Sequence, residues 1–151
     1  MIYKLPSLRE LSVVIEKNTS LPSVVLPNLT ELFITYDNCS DWLQVFRGAT
    51  FGKLKGVSFR SGSEQLGDFL EAFKQVALAA SIQNTLSEFY LDTSCSWNPN
   101  YSSLLPFTQL TVLMIWIPCN VSCSSTVDDD IITNIARAMP RLETLHLGGS
   151  P

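Results

Sequence analysis

Residues 140–147 read PRLETLHL, and the same spelling returns with other polar residues as PSLRELSV at 6–13 and PNLTELFI at 27–34. All three stretches follow the pattern Pro-x-Leu-x-x-Leu-x-aliphatic. The chain has eight prolines, and chance then predicts only roughly 0.1 such stretches. The recurrence therefore predicts a structural repeat. We expect the proline to mark the corner where a return segment ends and the next extended strand begins, because proline stops a helix and keeps its predecessor extended.

Six windows share the looser pattern Leu-x-x-apolar-x-apolar. They begin at Leu8, Leu29, Leu54, Leu86, Leu110 and Leu142, which are separated by 21, 25, 32, 24 and 32 residues. Such spacings suit one strand plus a return segment, as in leucine-rich repeats. Alternation with period two sends one set of side chains inward. Parallel stacking of the strands would then form an inward ladder of Leu11, Val13, Leu32, Ile34, Val57, Phe59, Phe89, Leu91, Leu113, Ile115, Leu145 and Leu147.

The return segments between the strands are uneven. Apolar spacing predicts an amphipathic helix over 63–80 with Ser63 as its N-cap, and a shorter helix over 41–48. A third helix is predicted over 128–139, with three aspartates at its N-terminus and Ile132, Ile135, Ala136 and Met139 on one face. Residues 16–26 and 92–107 are rich in Ser, Asn and Pro and are predicted to be extended loops.

The expected fold class is α/β, as an irregular leucine-rich-repeat solenoid. Its parallel sheet would be concave, with helices and loops on the convex side. Residues 1–151 would form a single domain of about six repeats, and we expect a fragment that lacks terminal caps. The first and last strands would then be open sheet edges.

Composition narrows the functional class. A hydrophobic content of 46% with 16% charged residues predicts a folded globular protein. The net charge of −4 and scattered basic residues argue against a nucleic-acid partner. No apolar segment is long enough to span a bilayer, and the N-terminus lacks the apolar core of a signal peptide. We therefore expect no membrane partner and a cytoplasmic or nuclear location.

Residues that carry chemistry are sparse. The cysteines Cys39, Cys95, Cys119 and Cys123 lack the second close pair of a zinc site, and buried or loop thiols are expected ahead of disulfides. His146 is the only histidine, and it has no nucleophile motif beside it. Asp128–Asp130 lack the alternating spacing and turn glycine of a calcium loop. The sequence predicts no enzyme, no catalytic residue, no metal and no cofactor.

The stretch 127–147 has the order Val-Asp-Asp-x-x-Ile-x-x-Ile-Ala-x-x-Met-Pro-x-Leu-x-x-Leu-x-Leu. It resembles the repeat of F-box-type leucine-rich-repeat proteins, in particular the leucine-rich tails of fungal F-box proteins, with Asp128 in place of Thr and Met139 in place of Cys. The resemblance implies target recognition for an SCF ubiquitin ligase. In that family an F-box docks to the adaptor, but residues 12–40 show no helical period that would fit one. An adaptor partner is expected only if an F-box lies upstream.

On each strand, the residues between the ladder positions would face the concave side. Large apolar or aromatic groups there need a reason, such as a protein partner. The predicted partner-binding residues are Phe33, Arg60, Tyr90, Asp92, Met114, Trp116 and His146. The alternative is that these groups pack against loops or a missing neighbour. A column of Glu10, Glu31 and Glu88 on the same side is expected to be an ordinary solvated one.

Two other functions stay open. Five Asn-x-Ser/Thr sequons, at Asn18, Asn28, Asn38, Asn100 and Asn120, would suit an extracellular leucine-rich-repeat domain that binds a ligand. A truncated remnant without function is the other possibility. The target of a recognition domain is not identified by the sequence.

Overall fold

The computed structural model describes residues 2–16, 22–37, 42–62, 69–93, 99–117 and 127–149. It shows a mixed α/β chain with two parallel sheets and few helices. Along the chain the elements are β1 (Tyr3–Lys4), β2 (Glu10–Ile15), β3 (Val24–Leu26), β4 (Glu31–Tyr36), α1 (Leu43–Gly48), β5 (Ala49–Phe51), β6 (Gly56–Ser61), α2 (Phe69–Ala79), β7 (Glu88–Thr93), a 3-10 helix (Tyr101–Leu104), β8 (Val112–Trp116), α3 (Asp129–Ala138) and β9 (Thr144–Gly148).

The larger sheet has six parallel strands in the order β2-β4-β6-β7-β8-β9, and each comes from one leucine-led window. Its register is the one that the repeat pattern predicts. Leu11 lies opposite Leu32, and the same row continues through Val57, Phe89, Leu113 and Leu145. The prediction of parallel, in-register strands is therefore confirmed.

Backbone hydrogen bonds at the start of each strand keep this register. The carbonyl of Arg9 accepts from the N–H groups of Thr30 and Glu31, at 2.8 and 3.1 Å. The carbonyl of Thr111 accepts in the same way from Glu143 and Thr144, at 2.8 and 3.0 Å. The carbonyl of the residue before one strand thus accepts two hydrogen bonds from the start of the next strand. This pair of hydrogen bonds, which we call the step, recurs between all neighbouring strands of the larger sheet.

The inward ladder is buried in the middle of the sheet and incomplete at its ends. Leu32, Val57, Phe89 and Leu113 are at most 1% exposed. At the edges, Leu11, Val13 and Leu147 are half-buried, and Leu145 is 38% exposed. Leu145 has its predicted place in the ladder, opposite Leu113, but it is left uncovered because no further strand pairs with β9 within the described residues, as expected for an open sheet edge.

A smaller sheet, in the order β1-β3-β5, was not predicted. Its strands are two or three residues long, and each ends four to six residues before the next strand of the larger sheet begins. β3 lies inside the stretch 16–26 that was predicted to be loop, and the 3-10 helix lies inside 92–107. Both loop predictions are wrong at these points. Backbone pairing with β1 and β5 orders β3, and local hydrogen bonds with the burial of Tyr101 and Leu104 order the 3-10 helix.

The three predicted helices are present in the described residues. α1 ends at Gly48 as expected, and α2 covers the second half of the predicted 63–80 segment. Ser63, the predicted N-cap, lies outside the described residues. Asp128 caps α3 by accepting a hydrogen bond from the N–H of Ile131 at 2.9 Å.

The core between the larger sheet and the helices is rich in aromatic rings. The ring centroid of Phe59 on β6 lies 5.0 Å from that of Phe69 and 5.5 Å from that of Phe73, both on α2. It lies 5.3 Å from the ring centroid of Trp42. Phe73 also stacks on Phe107, at 5.3 Å. These contacts bury one face of the sheet and leave its other face for the site described next.

Candidate functional site

The second face of the larger sheet carries three rows of side chains, which we call the open face. The first row is Glu10, Glu31, Gly56, Glu88, Val112 and Thr144; the second is Ser12, Phe33, Ser58, Tyr90, Met114 and His146; the third is Val14, Thr35, Arg60, Asp92, Trp116 and Gly148. The strand register thus brings all seven predicted partner-binding residues, Phe33, Arg60, Tyr90, Asp92, Met114, Trp116 and His146, onto one surface.

Three rings form a continuous series across β7, β8 and β9, which we call the aromatic row. Tyr90 stacks on Trp116 with ring centroids 6.4 Å apart and planes 16° apart. Trp116 in turn lies 5.8 Å from His146, with an interplanar angle of 38°. The rings meet diagonally, because Tyr90 is directly opposite Met114 and Asp92 is directly opposite Trp116.

The aromatic row is half-buried. Tyr90, Met114 and Trp116 were predicted to be exposed, and this prediction is wrong in degree, because the rings cover one another. Phe33 is 45% exposed on β4, in the same row of the sheet as Tyr90. Val14 on the edge strand lies on the same face and is 66% exposed.

Phe33, Tyr90 and Trp116 line an open depression of about 380 Å³ together with Arg60 and Asp92. This volume is at the small end of the range for ligand pockets, roughly 300–1,000 Å³. An open depression of this size suits one or two side chains of a larger partner better than an enclosed small molecule.

A charge pair forms one wall of the depression. Arg60 Nε donates to Asp92 Oδ2 at 3.2 Å across the joint between β6 and β7. The side chains are 74% and 48% exposed. Exposed pairs contribute about 0–1 kcal/mol, so both groups can exchange this partner for another at little cost.

Acidic side chains surround the tyrosine end of the aromatic row. The Tyr90 hydroxyl donates to Glu88 Oε2 at 2.9 Å. Burial of the hydroxyl, this hydrogen bond and the charges of Glu88 and Glu31 raise the pKa of Tyr90 to about 12. The proton therefore stays on Tyr90, and the carboxylate of Glu88 is held beside the ring.

Glu31 fills the space above Gly56 in the first row. A Cβ at position 56 would collide with Glu31 Oε2, so a larger residue there would displace this carboxylate from its present position. Burial, with the charges of Glu88 and Glu10, raises the pKa of Glu31, and Lys55 partly offsets this. The glutamates were expected to be a solvated column, but Glu31 and Glu88 are half-buried and interact. Gly56, which lies between them in the first row, is the sequence feature that could have predicted this interaction.

His146 is held by the backbone. Its Nε2 atom lies 2.9 Å from the carbonyl oxygen of Gly149, so Nε2 carries the proton and donates it. Its ring contact is with Trp116. This arrangement fixes the imidazole as the last ring of the aromatic row.

The remaining residues considered above are possible metal ligands, membrane-spanning segments, cysteines and sequons. Among the described residues there is no group of three or more metal-ligating side chains, and no helix is long and apolar enough to cross a membrane. The four cysteines and the sequons at 18, 38 and 120 lie outside the described residues. Asn28 Nδ2 donates to the Pro6 carbonyl at 2.7 Å, and Asn100 Oδ1 accepts from the N–H of Ser102. Both amides are thus used within the chain.

The sequence and structure were also compared with known proteins. No protein-family model, no curated protein and no solved structure matches the chain. The function must therefore be inferred from the open face itself.

Proposed function

We propose that this chain is a leucine-rich-repeat recognition module whose open face binds a partner protein. The observation that carries the proposal is the aromatic row, together with the exposed ring of Phe33, on a sheet face. Surface aromatic groups are the usual anchors of protein interfaces, since a rigid ring contributes a large contact area at low entropic cost. The parallel strands follow the chain order, which supports a repeat solenoid, and the open face would be the concave side of that solenoid.

The charges of the open face favour a basic partner. Four carboxylates, those of Glu10, Glu31, Glu88 and Asp92, face one guanidinium, that of Arg60. Burial and the charges of Glu88 and Glu10 raise the pKa of Glu31, and a lysine or arginine of the partner would offset the charge part of this rise. The same cation could lie against the rings of Tyr90 or Trp116, where cation–π attraction contributes about 0.5–2 kcal/mol.

The resemblance of residues 127–147 to F-box-type repeats supports the same kind of role. In such a protein the open face would hold the target of a ubiquitin ligase, and an adaptor partner would need an F-box joined to this chain. An extracellular recognition domain is the alternative function; of its sequons, Asn28 already donates a hydrogen bond to the Pro6 carbonyl.

A displayed peptide library tests the proposal directly. Immobilised protein should select peptides that combine lysine or arginine with an apolar or aromatic residue, and their affinity should fall as salt rises. Trp116→Ala should weaken binding of the selected peptides more than about tenfold, since anchor residues commonly contribute about 2 kcal/mol or more. Phe33→Ala should weaken it by a smaller factor.

Leu78 supplies the matched control. It is 38% exposed on α2, similar to Phe33 at 45%, but it is not on the open face. Leu78→Ala should leave peptide binding unchanged. Selection of acidic peptides, or equal binding by the wild type and the Trp116→Ala protein, would contradict the proposal.

A further inference from the structure

At both ends of the larger sheet, apolar side chains that are buried in the middle of the sheet are only partly covered. The leucines that open the six windows form one row, and Leu29, Leu54, Leu86 and Leu110 are fully buried. The end members of this row, Leu8 and Leu142, are only half-buried. Each end therefore lacks the neighbour that every internal segment has.

The C-terminal end presents an apolar groove of about 280 Å³ between α3 and β9. Its lining includes Ile132, Met139, Leu142 and Leu145. Ile132 is 40% and Leu145 is 38% exposed, although the helix pattern predicts an apolar contact for Ile132 and the strand ladder predicts one for Leu145. The groove is the place where another segment of the same kind would pack.

The N-terminal end presents matching apolar side chains. Ile2 is 71% exposed, Tyr3 49% and Leu5 47%. Leu5 stands three residues before its window leucine, and in four of the five other windows the residue at this offset is an apolar buried one: Leu26, Phe51, Phe107 and Met139. Leu5 thus occupies a position that is buried in most other windows, but no neighbouring segment covers it here.

The strand edges at the two ends are complementary. β2 and β9 are opposite edges of one parallel sheet, so β2 of a second copy could follow β9 in the same direction. If the step found at every internal joint continued, the N–H groups of Arg9 and Glu10 in that copy would donate to the carbonyl of Glu143. Leu11 would then lie opposite Leu145, and Val13 opposite Leu147.

This register places opposite charges side by side. Arg9 and Glu143 are the residues directly before β2 and β9, and both are exposed. Neither has an ion-pair partner within the part of the chain that the structure describes. An arginine on one end thus meets a glutamate on the other when the two ends are joined in the register of the internal strands.

We propose that a second copy of this chain occupies the C-terminal groove, with its β2 paired to β9 and its Arg9 beside Glu143. The joint uses different surfaces on the two copies, so each assembled pair still has one free end of each kind. Head-to-tail joints of this type continue into filaments or close into rings, and do not stop at a symmetric dimer. The open face stays accessible, so the proposal is independent of partner recognition.

Sedimentation velocity over a wide concentration range tests the joint. The wild-type chain should grow past dimer as concentration rises. Glu143→Arg and Arg9→Glu should each weaken association about fivefold to tenfold, because attraction of an exposed pair becomes repulsion. The double variant should regain wild-type association, since each copy then carries both swapped charges. Arg47→Glu, on the exposed last turn of α1, should have no effect.

Leu145→Lys provides a stronger block, because a lysine on an edge strand prevents pairing with another strand. It should keep the chain monomeric at concentrations where the wild type associates, with an unchanged circular dichroism spectrum. A wild-type monomer at all concentrations, a species that stops at dimer, or a double swap that fails to restore association would each overturn the proposal. Association lost in Trp116→Ala but kept in Leu145→Lys would place the contact on the open face and overturn it as well.

Discussion

Phe59 offers the sharpest test of which face of the larger sheet is the core. The side chain is 1% exposed, and the rings of Trp42, Phe69, Phe73 and Phe89 lie 5.0–5.9 Å from it. Phe59→Ala would leave a ring-sized cavity among groups that belong to the sheet and to α2. Those groups cannot all move into it, since each is held by its own element.

The expected loss follows from this burial. Truncation of a buried phenylalanine to alanine costs about 3–5 kcal/mol, and ring contacts add about 0.5–1.5 kcal/mol for each pair beyond their buried area. With several such contacts, we expect about 4–5 kcal/mol. Domains are stable by about 5–15 kcal/mol, so the variant should lose about a quarter of its stability or more.

Phe33→Ala is the matched control, because it removes the same side chain from the neighbouring strand on the opposite face. Phe33 is 45% exposed, and the free energy of unfolding should change by about 0.5 kcal/mol, as for most surface substitutions. Urea unfolding followed by circular dichroism at low protein concentration measures both variants. If Phe59→Ala does not fold, Phe59→Leu should still fold, with a smaller loss.

Equal losses in the two alanine variants would refute the assignment of the faces. A loss below about 1.5 kcal/mol for Phe59→Ala would show that the ring cluster is not packed as a core, since even small truncations of buried groups cost about that much.

Four further predictions concern titration and helix ends. The pKa values of Tyr90 and Tyr101 are raised from 10.0 to about 12, so both should ionise at higher pH than free tyrosine in a spectrophotometric titration. Their contribution to the free energy of unfolding is complete below pH 10.0 and is lost as the pH rises towards 12. Hydrogen bonds from neighbouring side chains lower the pKa of Glu71 from 4.5 to about 2. The contribution of Glu71 to the free energy of unfolding is therefore present above pH 4.5 and is lost as the pH falls towards 2. Glu71→Gln should remove this part of the pH dependence in acid unfolding curves. Asp128→Ala removes the N-cap of α3 and should lower the free energy of unfolding by about 0.5–2 kcal/mol in urea, whereas Asp128→Asn should retain most of it. Ser81 has a φ of 58° after α2, and Ser81→Gly should raise the melting temperature, because glycine adopts this conformation without strain.

The open face was largely predictable from the sequence. Period-two alternation assigns each strand residue to one of two faces, and the common Leu-led spelling aligns the strands with one another. From these two facts the positions of Phe33, Tyr90 and Trp116 on one surface follow without coordinates. Their role in binding stays a prediction.

The contacts within that surface were not predictable. Whether Tyr90 stacks on Trp116 depends on side-chain rotamers and on the twist between β7 and β8, which no residue pattern encodes. The placement of Glu31 over Gly56 is similar, because it needs a small residue on the adjacent strand and a carboxylate that bends towards it.

Local periodicity thus determined the larger sheet, its register and the helices, because each of these elements repeats its apolar pattern within the chain itself. Only the tertiary structure decided the small sheet, the aromatic row and the exposure of Leu5. The physical reason is that burial depends on which neighbours are present. Windows with the same pattern are covered in the middle of the sheet and bare at its edges, so a leucine at the same position of the pattern is buried in one place and exposed in the other.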